Sequence, residues 1–340
     1  MEPSNTYLIW MAGSVLIAAG VHYLISSSLR RRGMNALLTA LLGLALGVAC
    51  AKAVYAVIEC LQFWMATGLK NFRPLDALLS YDVYRASFFG GVLGVCLGAA
   101  LAGKLTGNAP MEALNAYAPA GMLMAALARF GEGFLGTLGL GRVIENESLC
   151  FFPLAVVNRW GQGRWAVFML MGVACLIVGV LSLLRFRENR FLRTLFYLCL
   201  PQILLESLRD ECLVVHEFVR VEQLICMVTV EVIFILYGVW ARGWKRRFLP
   251  AAMGLVCAGI FVAVEFTLGG KLFNGGGVEW DVEEGFLRHA LAEEEEWLEE
   301  SGGGVNLVPF LAYCVMALGL MLLAWMETLG HRHIRDGIGK

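Results

Sequence analysis

The chain has 340 residues, of which 59% are hydrophobic and 16% are charged, and its mean hydropathy is +0.68. Soluble domains carry about 25% charged residues, so this composition excludes an ordinary soluble protein and indicates an integral membrane protein. The formal net charge of −1 gives no sign of a nucleic acid partner, and none is predicted. The ten cysteines are scattered singly, without CxxC or zinc-type spacing, so we predict no metal site and no cofactor.

Apolar runs close to the ~20 residues that a bilayer core requires recur along the chain. We interpret about nine of them as spans of an all-α, polytopic transmembrane helical bundle. The predicted spans are 7–26, 36–60, 86–103, 111–128, 165–184, 194–208, 223–241, 249–268 and 305–326. The first run has no basic segment before it and Arg30–Arg32 after it, so we expect a retained span rather than a cleaved signal peptide.

Compact basic clusters follow alternate spans, and they set the expected orientation. They include Arg30–Arg32, the arginines at 185, 187, 190 and 193, the basic residues of 242–247, and Arg332, Arg335 and Lys340. All of these clusters fall on one side when the N-terminus is placed outside. Because cytoplasmic loops are enriched in Lys and Arg, we predict an external N-terminus and a cytoplasmic C-terminus.

The segment from Phe88 to Arg142 is the most unusual part of the chain. Glycines recur there inside apolar runs, where helix backbones can approach closely. Arg129 and Glu132 then end a long apolar run, and an ionisable residue at the edge of a span is by default a candidate functional residue. The competing interpretation is an i,i+3 ion pair that neutralises both side chains.

Two further external segments carry charges. Arg159, Trp160, Arg164 and Trp165 suit a helix lying at the membrane surface, although an ordinary aromatic belt would give the same pattern. Glu206 and Arg209 lie at i and i+3 and so share one helical face. They form either a paired, solvated edge or a group facing the same external mouth as Arg129.

The chain changes character after the basic residues of 242–247. We predict a core at 1–247 and an extension at 248–340 that holds two spans and an acidic external loop at 269–304. Such an acidic run is typical of a solvated loop.

Several motifs, in order, resemble those of the prolipoprotein diacylglyceryl transferase family over roughly residues 7–241. The family's early Gly-Ala-Arg-…-Tyr stretch is similar to Cys50–Tyr55, and its Gly-Gly-Leu-x-Gly motif is similar to the stretch after Phe89 that includes Gly90 and Gly91. Its Asp-x-x-Ala-Pro motif is similar to Asn115–Pro119.

Three later motifs continue the resemblance. The signature Gly-Arg-x-Gly-Asn is similar to Ala128–Glu132, and Arg142 follows in the expected region. The late Arg-Phe-x-x-Glu-x-x-Arg-Glu is similar to Gln202–Asp210. The Gly-Gln before the last core span is similar to Glu222-Gln223.

The resemblance implies transfer of a diacylglyceryl group from phosphatidylglycerol to the lipobox cysteine of a prolipoprotein signal peptide, at the outer face of a bacterial plasma membrane. It implies catalytic roles for Arg129 and Glu206. The implied substrate-binding residues are Tyr55, Phe89, Gly90, Gly91, Glu132, Arg142, Gln202 and Arg209. Arginine suits a phosphate clamp because its planar fork binds phosphate oxygens bidentately. Glu206 would act as a base or orient an arginine.

Four positions depart from the family pattern. The family's second Glu falls near Thr137, and the spacing to Gly141-Arg142 suggests a one-residue insertion. Phe89 cannot transfer a proton, Glu132 replaces the signature Asn, and Gln202 replaces the late Arg. Two alternatives therefore stand beside the enzyme: a catalytically silent relative that binds anionic lipid or a lipoprotein precursor, and an unrelated transporter or structural membrane protein.

Overall fold

The structure is a computed structural model that describes residues 3–67, 85–141, 143–144, 147–157, 161–209, 214–216, 219–240, 252, 254–260 and 314–328. It is mostly helical, as predicted. Among the described residues up to 240, the α-helices are α1 (Pro3–Ile25), α2 (Arg32–Thr67), α3 (Phe88–Leu105), α4 (Pro110–Gly131), α5 (Val167–Leu184), α6 (Arg190–Glu206) and α7 (Val221–Trp240). Short 3₁₀ segments occupy Glu132–Gly139 and Glu147–Leu149. Four short strands are β1 (Ala155–Val157), β2 (Gly163–Trp165), β3 (Val214–His216) and β4 (Val219–Arg220).

Four of the described helices are long and apolar enough to cross a membrane. They cover Asn5–Ile25, Arg32–Leu61, Phe88–Leu105 and Val167–Leu184, close to four of the predicted spans. Helix α2, with 36 residues, is about 54 Å long at 1.5 Å per residue, well beyond the ~30 Å of a hydrocarbon core. The predicted span 36–60 therefore covers only part of a longer helix.

The remaining predicted spans have less complete counterparts. Helices α4, α6 and α7 match the predicted spans 111–128, 194–208 and 223–241 within a few residues at each end. Parts of the last two predicted spans are described, as helix at 254–260 and at Cys314–Thr328. The acidic loop at 269–304 lies outside the described residues.

The glycines of α3 form a close contact with α2. A Cβ built on Gly98 would lie 2.6 Å from the backbone N of Gly43, and one on Gly90 would lie 2.7 Å from the carbonyl oxygen of Cys50. Only glycine permits such an approach of the two backbones. Leu93 and Leu97 are exposed on α3, so this helix combines a glycine face packed on α2 with an apolar face of the kind that lipid covers.

Helix α4 is the central helix of this part of the chain, because it packs against α1, α3, α5 and α6. At its starting end, two polar contacts fix the neighbouring turns. Arg30 N donates to Asn108 Oδ1 at 2.8 Å, and Phe191 N donates to Asn115 Oδ1 at 2.8 Å. Arg129 lies in the last turn of α4, at the opposite end.

The segment after α4 corrects the prediction of a surface helix around Arg164 and Trp165. These two residues lie in β2, which pairs antiparallel with β1 through Ala155↔Trp165 and Val156↔Arg164. Arg159 and Trp160 lie outside the described residues.

The chain divides into two compact units. The first comprises residues 1–216 and 220–226, and the second comprises 217–219 and 227–340. The predicted boundary between a core at 1–247 and an extension at 248–340 stays a prediction. In the second unit, Tyr237 Oη donates to Glu327 Oε1 at 3.3 Å, and Glu327 is fully buried.

Candidate functional site: a buried ion network at the end of helix α4

Arg129 is carried into the protein interior by the end of α4. Small residues around it, including Ala125, Ala126 and Ala128, are buried and let neighbouring helices approach. Arg129 itself has no exposed surface. Because burying an unpaired charge is very costly, its guanidinium needs partners from other elements.

Glu132, just after α4, and the ring of Phe88, at the start of α3, both contact Arg129. Its Nη1 donates to Glu132 Oε1 at 2.5 Å, which makes an i,i+3 ion pair. Its guanidinium carbon lies 3.6 Å from the centroid of the Phe88 ring, at the first residue of α3. A cation over an aromatic face at this distance is stabilised by the ring quadrupole.

Helices α6 and α7 supply the remaining partners of Arg129. Its Nη2 donates to Gln202 Oε1 at 2.9 Å and to Glu222 Oε2 at 3.2 Å. The Gln202 amide then donates through Nε2 to Glu206 Oε2 at 2.9 Å and to Glu222 Oε2 at 3.0 Å. Gln202 thus joins two carboxylates to one arginine.

Arg209 closes the network from the other side. Its Nη2 donates to Glu132 Oε2 at 2.6 Å, and its Nε lies 3.9 Å from Glu206 Oε2. A bridge between the backbones of Arg209 and Gly141 fixes its position. A Cβ on Gly141 would lie 2.5 Å from the carbonyl oxygen of Leu208, so this approach requires glycine. Each oxygen of Glu132 therefore faces a different arginine.

We use the name buried ion network for Arg129, Glu132, Gln202, Glu206, Arg209 and Glu222. It contains two positive and three negative side chains. Burial disfavours the charge of Arg209, but Glu132 and Glu206 outweigh that effect and raise the pKa of its guanidinium. Arg220 adds a third cation nearby, although its Nη1 donates to the backbone oxygens of Glu206 and Arg209.

The network has one accessible edge. The side chains of Glu132 and Arg209 are 14% and 11% exposed, whereas those of Arg129 and Glu206 are 0% and 2% exposed. An anion arriving from the surface would therefore meet Glu132 and Arg209 first. The position between the two arginines is filled by the Glu132 carboxylate.

Five of the ten predicted site residues lie in the network: Arg129, Glu132, Gln202, Glu206 and Arg209. Arg142 lies outside the described residues. The other four are described below.

Phe89, Gly90, Gly91 and Tyr55 lie around the packed helices α2 and α3. Phe89 is buried and packs edge-on against Phe88, and it is Phe88 whose ring covers Arg129. A Cβ on Gly90 would clash with the α2 backbone, so this glycine serves helix packing, whereas a Cβ on Gly91 would make only an ordinary contact of 3.9 Å with Ala51 Cβ. Tyr55 is half-buried on α2.

Two members of the site were missed as site residues from the sequence. Phe88 is the neighbour of the predicted Phe89. The sequence cannot show which of the two rings faces Arg129, and in the structure it is the ring of Phe88. Glu222 had a detectable signal, since it is a carboxylate in the first turn of a largely apolar helix. Within the described residues, no group of three His, Cys, Asp or Glu side chains is arranged to hold a metal ion.

No protein-family model matches the chain, and a search of curated proteins finds no matching sequence. The resemblance described above therefore depends on the order of short motifs alone.

Proposed function

We propose that this chain is a divergent membrane protein of the prolipoprotein diacylglyceryl transferase type. In this proposal it moves a diacylglyceryl group from phosphatidylglycerol to the cysteine of a lipobox signal peptide. It lies in the plasma membrane of a bacterium, with about nine spans, its N-terminus outside and its site at the outer face.

One observation carries the proposal. Arg129, Glu132, Gln202, Glu206 and Arg209 come from two motifs more than 70 residues apart, and they meet in one network with hydrogen bonds of 2.5–2.9 Å. A ligand bound by both motifs would require their side chains to meet in one place. At the accessible edge, Arg209 Nη2 lies 3.7 Å from Met171 Sδ of the apolar helix α5, which suits a lipid substrate that approaches sideways.

The chemistry needs a cationic site more than a base. The cysteine sulfur forms a bond to the glyceryl carbon that carries the phosphate, the carbon–oxygen bond breaks, and glycerol phosphate leaves. Arginine at the departing phosphate would stabilise the charge that develops there. A free thiol with a pKa near 8.5 is partly ionised at neutral pH, so a strong general base is not required.

The contacts of Glu206 favour the orienting role over the basic one. Its Oε2 accepts a hydrogen bond from Gln202 and lies 3.9 Å from Arg209 Nε. These contacts place Glu206 beside Gln202 and Arg209, where it can orient the arginine. We propose that Glu206 positions Arg209 for the phosphate.

The second candidate is a catalytically silent relative that binds anionic lipid or a lipoprotein precursor. The position of Glu132 favours it, because the carboxylate bridges both arginines where a phosphate would bind. In this case the network stabilises the fold, and its accessible edge at Glu132 and Arg209 binds a ligand without transferring a group.

A transfer assay separates the candidates. Purified protein would be incubated with phosphatidylglycerol and a lipobox peptide, and the peptide mass followed. Arg209→Gln tests the accessible edge, and Arg185→Gln, at an exposed arginine beyond the end of α5, is the matched control.

Each outcome has a definite meaning. A diacylglyceryl mass gain that is lost in Arg209→Gln and kept in Arg185→Gln supports the enzyme. Saturable phosphatidylglycerol binding without transfer, lost in the same variant, supports the silent relative. A folded protein with neither transfer nor binding refutes both.

A further inference from the structure

A second polar feature lies at the opposite end of α4. Ser28, Glu112, Asn115, Arg187 and Arg190 line a cavity of about 320 Å³. Glu112 and Arg129 are 17 residues apart on α4, so the cavity is about 25 Å from the buried ion network at 1.5 Å per residue. The two features are separate sites.

The cavity lies at the ends of two helices that are long and apolar enough to span a bilayer. Ser28 follows the end of α1 by three residues, and Arg187 follows the end of α5 by three residues. Both helices are long and apolar enough to span a bilayer. If both helices span a bilayer, these positions lie near the lipid headgroups whichever way the chain is oriented.

The wall of the cavity is fixed by hydrogen bonds. Asn115 Oδ1 accepts from Phe191 N at 2.8 Å and so joins α4 to the start of α6. Arg190 Nε donates to Phe186 O at 2.8 Å, which holds the stem of Arg190 against the α5–α6 connection. The arginines and the glutamate are therefore presented on connected elements.

Charges of both signs face this cavity and remain available to a ligand. Within the described part of the chain, Glu112 and Arg187 form no ion pair with each other or with another residue. Arginine favours phosphate, and a carboxylate accepts hydrogen bonds from an ammonium group. A ligand that carries both groups would satisfy both sides of the cavity.

Apolar surface adjoins the polar lining. Leu24 at the end of α1 is 73% exposed, and Leu184 at the end of α5 is 65% exposed. Such side chains at a membrane boundary contact acyl chains. This continuity favours a lipid over a free phosphate compound.

We propose that this cavity binds the headgroup of a phosphoethanolamine lipid, with Arg187 and Arg190 on the phosphate and Glu112 on the ammonium. The volume lies at the lower end of the range for small-molecule sites, about 300–1,000 Å³, and so fits a headgroup. The acyl chains lie along the exposed surfaces of α1 and α5. This site is independent of the proposed transferase function.

The test is a lipid titration of the purified full-length protein, with bound lipid counted by native mass spectrometry. The probes are phosphatidylethanolamine, phosphatidylglycerol, phosphatidylcholine and free phosphoethanolamine. The wild type should prefer phosphatidylethanolamine to phosphatidylcholine, because a quaternary ammonium has no N–H group to donate to Glu112.

Two variants and one control assign the contacts. Glu112→Gln should weaken phosphatidylethanolamine binding about tenfold, the loss expected for one charge-assisted hydrogen bond, and should not weaken phosphatidylglycerol binding. Arg187→Ala should weaken both lipids. Arg185→Ala, at a neighbouring exposed arginine outside the lining, should change neither.

Arg187 is the preferred arginine to replace because it forms no hydrogen bond within the described residues, so its loss leaves packing intact. Equal effects of Arg187→Ala and Arg185→Ala would overturn the site in favour of general charge attraction. Unchanged headgroup preference in Glu112→Gln would overturn the role of the ammonium. Equal competition by free phosphoethanolamine would overturn the assignment to a lipid.

Discussion

Replacing Arg129 with methionine should destabilise the protein severely. Arg129 is fully buried and holds Glu132 and Glu222 at 2.5 and 3.2 Å. Methionine has a similar length and no charge, so Arg129→Met removes the cation while retaining much of the side-chain volume. The two glutamates then lose their buried counter-ion.

The expected loss in the free energy of unfolding is about 3–5 kcal/mol, the usual cost of removing one partner of a buried ion pair. The structure shows where the penalty falls. The Gln202 amide donates to both Glu206 Oε2 and Glu222 Oε2, so these two carboxylates are close neighbours. Without Arg129 their repulsion is opposed by Arg209 and by the nearby Arg220.

The coupling between Arg129 and Glu222 can be measured with a double-mutant cycle. Glu222→Gln in the Arg129→Met background removes the repulsion, so the double variant should recover about 1–3 kcal/mol relative to the sum of the single changes. Equilibrium unfolding in mixed detergent micelles gives the four free energies.

Arg32→Met is the control for this cycle. Arg32 is exposed and stacks on Tyr23, with its guanidinium carbon 4.8 Å from the ring centroid. Its replacement should cost about 1 kcal/mol or less. Strict additivity of Arg129→Met and Glu222→Gln, or a loss no greater than that of the control, would refute the electrostatic account of the network.

Three further predictions follow from the contacts. Glu132→Gln retains the side-chain shape but removes the charge that bridges the two arginines. Phosphatidylglycerol binding, measured in the lipid titration by native mass spectrometry, should therefore strengthen about tenfold. Unchanged affinity would show that Glu132 does not compete with the ligand. Gly98→Val should lower the free energy of unfolding by about 1–3 kcal/mol or more because its Cβ meets the α2 backbone, whereas Leu97→Val on the exposed face should have little effect. Asn115→Ala leaves the Phe191 N–H without its acceptor and should cost about 1–3 kcal/mol in thermal or detergent unfolding; a neutral result would show that water replaces the amide.

The sequence predicted the helices better than the connections between them. Apolar length alone placed α1, α3 and α5, because a span of about 20 residues leaves little freedom in its bounds. It could not reveal that Gly163–Trp165 form an extended strand rather than part of a surface helix. Their pairing with 155–157 depends on residues several positions away, and alternating Arg and Trp do not encode it.

Individual contacts in the site could be predicted only where spacing determines them. The i,i+3 relation of Arg129 to Glu132 and of Glu206 to Arg209 follows from helical geometry. The meeting of those two pairs depends on how α4 and α6 pack. Glu222 comes from a third helix, and its part in the site required the packed arrangement of all three.

The identity of residue 132 decides what the network can do. The Glu132 carboxylate bridges Arg129 and Arg209, so it occupies the place between them where a phosphate would bind. Glu206 and Glu222 are buried on α6 and α7. Of these three glutamates, Glu132 alone has a side chain more than 10% exposed. It also begins the 3₁₀ segment that turns at Gly136, where φ is +73°.

If the chain is the proposed transferase, turnover requires Glu132 to leave the arginines and the phosphate to take its place. In that case Glu132→Gln should raise transfer or binding, because it removes the competing charge. Glu206→Gln should lower either one, because it removes the carboxylate beside Arg209. If both variants change the measured activity in the same direction, Glu132 is not the competing ligand and the network is only a structural ion cluster.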